Sequence, residues 1–219
     1  MDIKYLGHSS FRIRGKTAAV VTDPFDPKMV GYSYPKVTAD AVTISHAHPD
    51  HNQKDLIASR IEGVPPVIIQ GPGEYEIKGI KIYGYSTYHD QKEGQERGKN
   101  TVYVYSVDGI NILHCGDLGH TFSDQLLEEL DEIHILMVPT GGFYTINEKE
   151  AMAIVRQVDP HIVIPMHYNE SGKDKAFAQL SGVDAFLKES GKTVEPISKL
   201  SITYDKLPEE LEVVVLSRS

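Results

Sequence analysis

The chain has 219 residues, 40% of them hydrophobic, enough to bury a sizeable core in one domain spanning residues 1–219. Its 22 Lys and Arg against 31 Asp and Glu give a net charge of −9, and no basic run exceeds two residues, which argues against nucleic acid or an anionic membrane as a partner. No apolar stretch approaches the ~20 residues of a membrane helix, the opening "MDIKYLG" lacks the pattern of a signal peptide, and a single cysteine, Cys115, allows no internal disulfide, so a reducing cytoplasm is the expected setting.

Short β-rich runs lead: "IKYLG", "SFRIR" and "AAVVTDP", separated by Gly and Ser, read as an antiparallel meander. A strand "DAVTIS" feeds into Ser45-His46-Ala47-His48-Pro49-Asp50-His51. After it, "NQKDLIASR" has helical character, and "PVIIQG", "YEIKG" and "IKIYGYSTY" read as strands. The polar segment Asp90 to Asn100 reads as an exposed, mobile loop from which Lys92, Arg97 and Lys99 could meet an anionic substrate, or else as a solvated hairpin tip. "TVYVYSV" and "INILHCG" flank Asp108-Gly109, a strong hairpin signal. Ser123 is an N-cap for "DQLLEELDE", and Asn147 with Glu150 forms a capping box for "EKEAMAIVRQV". A strand "HIVIPMH", a helical stretch "KDKAFAQLSGVDAFLKES" and a β-like tail through "LSITYD" and "LEVVVLS" follow. Strands in two groups, each followed by helices, fit an α+β fold: a four-layer αββα sandwich of two mixed β-sheets with helices on the outer faces.

Three imidazoles and a carboxylate in "SHAHPDH" make a donor set that suits zinc or another first-row metal. In an extended segment His46 and His48 point to the same side, and a helix starting at Pro49 would swing Asp50 and His51 toward the same point. These four could serve two adjacent ions but cannot complete two coordination spheres. Further ligands are expected at strand ends: His89 after "YGYSTY", Asp117 after "INILHCG" and His167 after "HIVIPM".

This set resembles the five-motif signature of the metallo-β-lactamase superfamily, and "GHSSFRI", "TDPF", "GGFYTINEKEA" and "IPMHYN" resemble its branch of L-ascorbate-6-phosphate lactonase and related metal-dependent hydrolases. The resemblance implies a sandwich of two similar halves with a dinuclear site between them. His46, His48 and His89 would hold one ion, Asp50, His51 and His167 the other, and Asp117 would bridge, with Asp50 and Asp117 the implied catalytic carboxylates. Zinc is the first expectation, and manganese or iron would suit the same donors. Two ions about 3.5–4 Å apart activate a water toward an ester, lactone or phosphodiester of a small anionic substrate, with no Ser or Cys nucleophile. A di-iron oxidoreductase and a non-catalytic metal-binding protein are the alternatives on this fold. The flavodiiron type usually carries Glu where this chain has His48, and it needs an attached flavin domain.

His8 in "YLGHSS" and Asp23 in "TDPF" either orient a ligand or the substrate or have a buried or turn-capping role. Cys115 and His114 read as core residues. Gly141 and Gly142 could let backbone approach a ligand, and Tyr144 could donate to a reacting group or belong to a plain strand-to-helix connection. Tyr168 and Asn169, next to His167, could line the pocket. No feature marks an oligomeric interface.

Overall fold

In a computed structural model describing residues 1–219, the first three strands, β1 (Asp2–Gly7), β2 (Ser10–Arg14) and β3 (Ala19–Thr22), form the expected meander. After a short helix α1 (Pro27–Val30), β4 (Thr38–Ala39) pairs with β6 (Ala58–Ser59), while β5 (Ala41–Ile44) and β7 (Val67–Gln70) extend the first sheet in parallel. The second sheet contains β8 (Gly73–Ile77), β9 (Ile80–Tyr88), β10 (Lys99–Val107), β11 (Ile110–His114), β12 (Ile135–Pro139) and β13 (Ile162–Met166). Two-residue strands from the tail complete the edges: β14 (Leu200–Ser201) pairs with β1, and β15 (Glu212–Val213) with β13. The orders are β14-β1-β2-β3-β5-β7 and β15-β13-β12-β11-β10-β9-β8, each mixing parallel and antiparallel pairs.

The sheets face each other across one core, in which Ile3, Tyr5, Phe11 and Ile13 of the first join Ile82, Tyr103, Tyr105 and Ile112 of the second. Buried tyrosine hydroxyls need partners, and these are found across the interface. Tyr105 bonds Thr43 Oγ1 at 2.6 Å, and Tyr103 donates to the Ile44 carbonyl at 3.1 Å. Such bonds fix the lateral register of two otherwise apolar faces.

The hairpin between β10 and β11 turns at Asp108 and Gly109, both at positive φ (51° and 84°), as a two-residue turn matching strand twist requires. Helices α2 (Asp124–Glu129) and α3 (Glu148–Val158) start where the caps predict. Ser123 accepts from the Leu126 amide, and Asn147 and Glu150 make the reciprocal capping box, each cap contributing about 1 kcal/mol. α3 packs on β12, and α4 (Val183–Ser190) on β13, forming the outer layer of the second sheet. No helix is long and apolar enough to cross a membrane.

The outer layer of the first sheet departs from expectation. "NQKDLIASR" is not a helix but a single 3-10 turn, Lys54–Leu56, followed by β6. Its apolar residues are too few for a helical stripe, and Ile57 alone is buried, against Leu6, Val21, Val42 and Ile44. Likewise "KDKAFAQLSGVDAFLKES" divides into a 3-10 turn, Lys175–Phe177, and α4, separated at Ser181-Gly182, because Phe177 and Leu180 pack with Phe25 and Val30 while Phe186 enters the main core.

Candidate metal centre

The clustered histidines follow β5 in the first sheet, whereas His89, Asp117 and His167 follow β9, β11 and β13 in the second. Sheet packing therefore brings four sequence-distant segments to one edge of the sandwich. The "SHAHPDH" segment turns without forming a helix: the His51 amide donates to the His48 carbonyl at 3.0 Å. Asp26 N donates to Pro49 O and Thr101 N to Ser45 O, so the N-cap of α1 and β10 of the second sheet both grip the turn.

Four imidazole Nε2 atoms surround Oδ2 of Asp117, those of His51 and His167 at 3.2 Å, His89 at 3.3 Å and His46 at 3.9 Å. His48, exposed at the rim, has its ring centroid 4.7 Å from that of His46 and 5.2 Å from that of His89. His46, His48 and His89 form one group of potential ligand atoms within 4.8 Å of one another, and Asp50, His51 and His167 belong to a second.

The donor chemistry fits a cation. Nε2 of His46, His51 and His167 and Oδ1 of Asp117 are buried without a hydrogen-bond partner. Each such group left unpaired costs about 1–3 kcal/mol, and a cation facing the lone pairs would remove much of that cost. The rings are oriented from behind. Oδ1 of Asp23 accepts from the Ser45 amide at 2.8 Å, while Oδ2 accepts from the Ser45 hydroxyl at 2.6 Å and from His51 Nδ1 at 3.0 Å. Having given its proton to Asp23, Ser45 Oγ can only accept from His46 Nδ1, at 2.9 Å. Both rings thus carry their hydrogen on Nδ1 and turn Nε2 toward Asp117.

Burial pushes the His46 imidazole down to about 3. Burial also opposes charge on His51, but Asp117 and Asp50 outweigh it and hold this imidazole well above its ordinary value. The Asp117 carboxyl is raised by burial and lowered more strongly by His167 and His51, ending far below the usual carboxylate range. A proton on His51 balances the two carboxylates, and a cation bound there would displace it.

A cleft of about 300 Å³ opens over these groups. Its walls include Met29, Phe177 and Ala176 together with Glu96 and Arg97. Arg97 lies 5.5 Å from the Tyr144 ring centroid and donates from Nη1 to the Tyr144 carbonyl at 3.4 Å. Tyr144 lines the cleft, but its hydroxyl donates to Ala176 O at 3.0 Å and so is not free to serve a reacting group.

Tyr168 and Asn169 do not line the cleft. His167 sits at φ 53°, which turns the chain away after it, so Tyr168 is buried 6.4 Å from the Tyr5 ring and the Asn169 amide pairs with Ser181 O. Gly141 allows a close approach, but to the chain itself, since a Cβ there would overlap the His167 carbonyl. His114 and Cys115 are buried, with His114 Nε2 donating to Ser9 O at 2.8 Å.

The segment after His89 is ordered by one carboxylate and lacks the looseness its composition suggests. Asp90, buried, accepts from the amides of Lys92, Gly94, Glu96 and Arg97. Burial raises this carboxyl, and the amides outweigh it to hold it at about 2. Lys92 pairs with Glu96 at 2.6 Å and Lys99 is exposed on β10, so of the three expected cations Arg97 is the one at this cleft.

Sequence reasoning passed over Asn100 and Lys173. Buried Asn100 accepts from the Asp117 amide at 3.0 Å and donates to Thr87 and to the Cys115 carbonyl, bracing the strand end that presents Asp117. Its place at the end of a polar run concealed it, although a polar residue opening the apolar strand "TVYVYSV" was a usable signal.

Residues 2–167 match the family model described as the β-lactamase superfamily domain. The chain is 31% identical over 193 residues to a UPF0173 metal-dependent hydrolase of Thermococcus onnurineus, covering 77% of this chain and 85% of that one, and 26% identical to one of Methanoculleus marisnigri, covering 97% of each. A Thermotoga maritima crystal structure, described as a candidate Zn-dependent hydrolase of the metallo-β-lactamase superfamily, superposes with a TM-score of 0.80 at 36% identity, covering 100% of this chain and 99% of that one. With this fold and this His/Asp cluster, the chain belongs to the metallo-β-lactamase superfamily, as a metal-dependent hydrolase suited to bind metal through these side chains. Within that class it is a member of the UPF0173 metal-dependent hydrolases.

Proposed function

We propose that this cleft hydrolyses an ester, lactone or phosphodiester bond in a small anionic substrate, using two divalent cations, zinc foremost. The observation that carries the reading is the convergence of four imidazole Nε2 atoms on Oδ2 of Asp117 while its Oδ1 lies buried and unpaired. His46, His48 and His89 would hold one cation, Asp50, His51 and His167 the other, with Asp117 shared. When bound, such cations supply Lewis acidity at the attacked group and bring the pKa of water toward about 7.

The chain's own residues do the rest. Asp23 and Ser45 keep the His46 and His51 rings aimed. Arg97 offers a guanidinium for a carboxylate or phosphate on the substrate, which reconciles anion binding with an acidic protein. Met29, Phe177 and Ala176 give an apolar face for the substrate body and keep water from part of the cleft. None of the residues lining the cleft is Ser or Cys, in keeping with water as the nucleophile.

The test is elemental analysis of the purified chain, then a screen of lactones, carboxylic esters and phosphodiesters with zinc, manganese or iron. Two ions per chain and turnover of at least one anionic substrate are expected, and Arg97→Gln should raise KM for it about tenfold with metal content unchanged. A single ion per chain, or equal KM values for anionic and neutral analogues, would overturn the proposal.

A further inference from the structure

His8 is fully buried against the site, its Nε2 3.2 Å from Asp50 Oδ2 and its ring centroid 4.1 Å from that of His167. With Asp50, His51 and His167 it forms a group of four potential ligand atoms within 4.8 Å of one another, so distance alone would admit it as a metal ligand. The opposite side of the ring decides the matter. Nζ of Lys173 lies 3.0 Å from His8 Nδ1 and donates to the Tyr168 carbonyl at 2.6 Å. An ammonium has three N–H donors and no lone pair, so it can bond Nδ1 only where that nitrogen is unprotonated. A neutral ring then has its hydrogen on Nε2, facing Asp50, and an N–H donates to a carboxylate but cannot coordinate a cation.

We infer that Lys173 is a positioning residue that locks His8 in its Nε2–H tautomer, making His8 the donor that holds Asp50 Oδ2 and excluding it from the metal ligands. The inference deepens the two-cation reading and rests on it for the role of Asp50. Lys173 is itself well held: the next amide, of Asp174, donates to Val30 O at 2.8 Å, and the Phe177 ring centroid is 5.3 Å from Nζ. Gly31 permits that approach, because a Cβ at its φ of 101° would overlap the Asp174 amide. Burial lowers the ammonium to about 8, with Glu170, Asp117 and Asp50 opposing the shift.

The test uses the full chain labelled with 15N-histidine, observed by long-range 1H–15N correlation without metal, with Zn²⁺ and with 113Cd²⁺. His8 should show a protonated Nε2 and an unprotonated Nδ1 in every state, with no 113Cd coupling. Lys173→Met leaves Asp50 as the only partner favouring hydrogen on Nε2, so Nδ1 should carry hydrogen in part of the population, and Zn²⁺ binding should weaken about tenfold. Lys173→Arg, whose guanidinium also has donors only, should restore the single tautomer and the affinity. A 113Cd coupling to His8, a protonated Nδ1 in the wild type, or an unchanged tautomer in Lys173→Met would overturn the inference. The tautomer is read without metal, so fewer than two Cd²⁺ per chain with an intact Nε2–H signal would sink the two-cation reading and still support the lock.

Discussion

Oδ2 of Asp23 accepts two hydrogen bonds, from His51 Nδ1 at 3.0 Å and from the Ser45 hydroxyl at 2.6 Å, and through them aims two imidazoles at the same carboxylate. All groups around Asp23, including the Ser45 amide on Oδ1, are donors. Asp23→Asn must therefore turn an amide N–H toward one of them. Zinc affinity is expected to fall about 10- to 100-fold, measured by competition with a chromophoric chelator, with the far-UV circular dichroism unchanged.

The elevated proton affinity of His51 gives metal binding a pH dependence of definite sign. Burial works against this proton, but Asp117 and Asp50 hold it on the ring at neutral pH. A cation must displace it, so zinc binding at pH 7 should release at least one proton per chain and weaken as pH falls. Calorimetric titration in buffers of different ionisation enthalpy reads this directly; an observed enthalpy independent of the buffer would show that no proton leaves.

Asp117 and Cys115 lie two positions apart but face different surroundings. Asp117→Ala removes the oxygen on which four imidazoles converge and should abolish binding of at least one ion. Cys115→Ala should retain full metal content and cost only about 1 kcal/mol in stability. Burial pushes the Cys115 thiol well up, so a disulfide reagent at pH 8 should leave it untouched until denaturant is added. Loss of metal in the Cys115 variant would mean this strand end presents sulfur to the ion.

Asp90→Ala would leave four amides of the segment after His89 without their acceptor. Faster proteolysis within residues 91–97 and a raised KM for anionic substrates are expected, because Arg97 would lose its fixed position at the cleft. Unaltered proteolysis would show that other contacts hold the segment.

Features encoded within a few consecutive residues were legible in the sequence: the strand periodicities, the Asp108-Gly109 turn, the Ser123 and Asn147 caps, and a histidine run whose spacing is itself chemical information. The candidates His89, Asp117 and His167 were also legible, because each ends an apolar strand and so stands at a sheet edge. Tertiary structure alone decided which way side chains turn after those ends. The positive φ of His167 sends Tyr168 and Asn169 away from the cleft, and the loop anchored at Val30 and Gly31 returns Lys173 to His8 across 165 positions of sequence. Asp90 reads as one more polar residue in a polar run until the chain curls round it, and only then do its oxygens meet four amides at once. The physical reason is common to these cases: a hydrogen bond needs two groups in register, and when they come from separate segments the packing of the two sheets sets that register, which no local pattern carries.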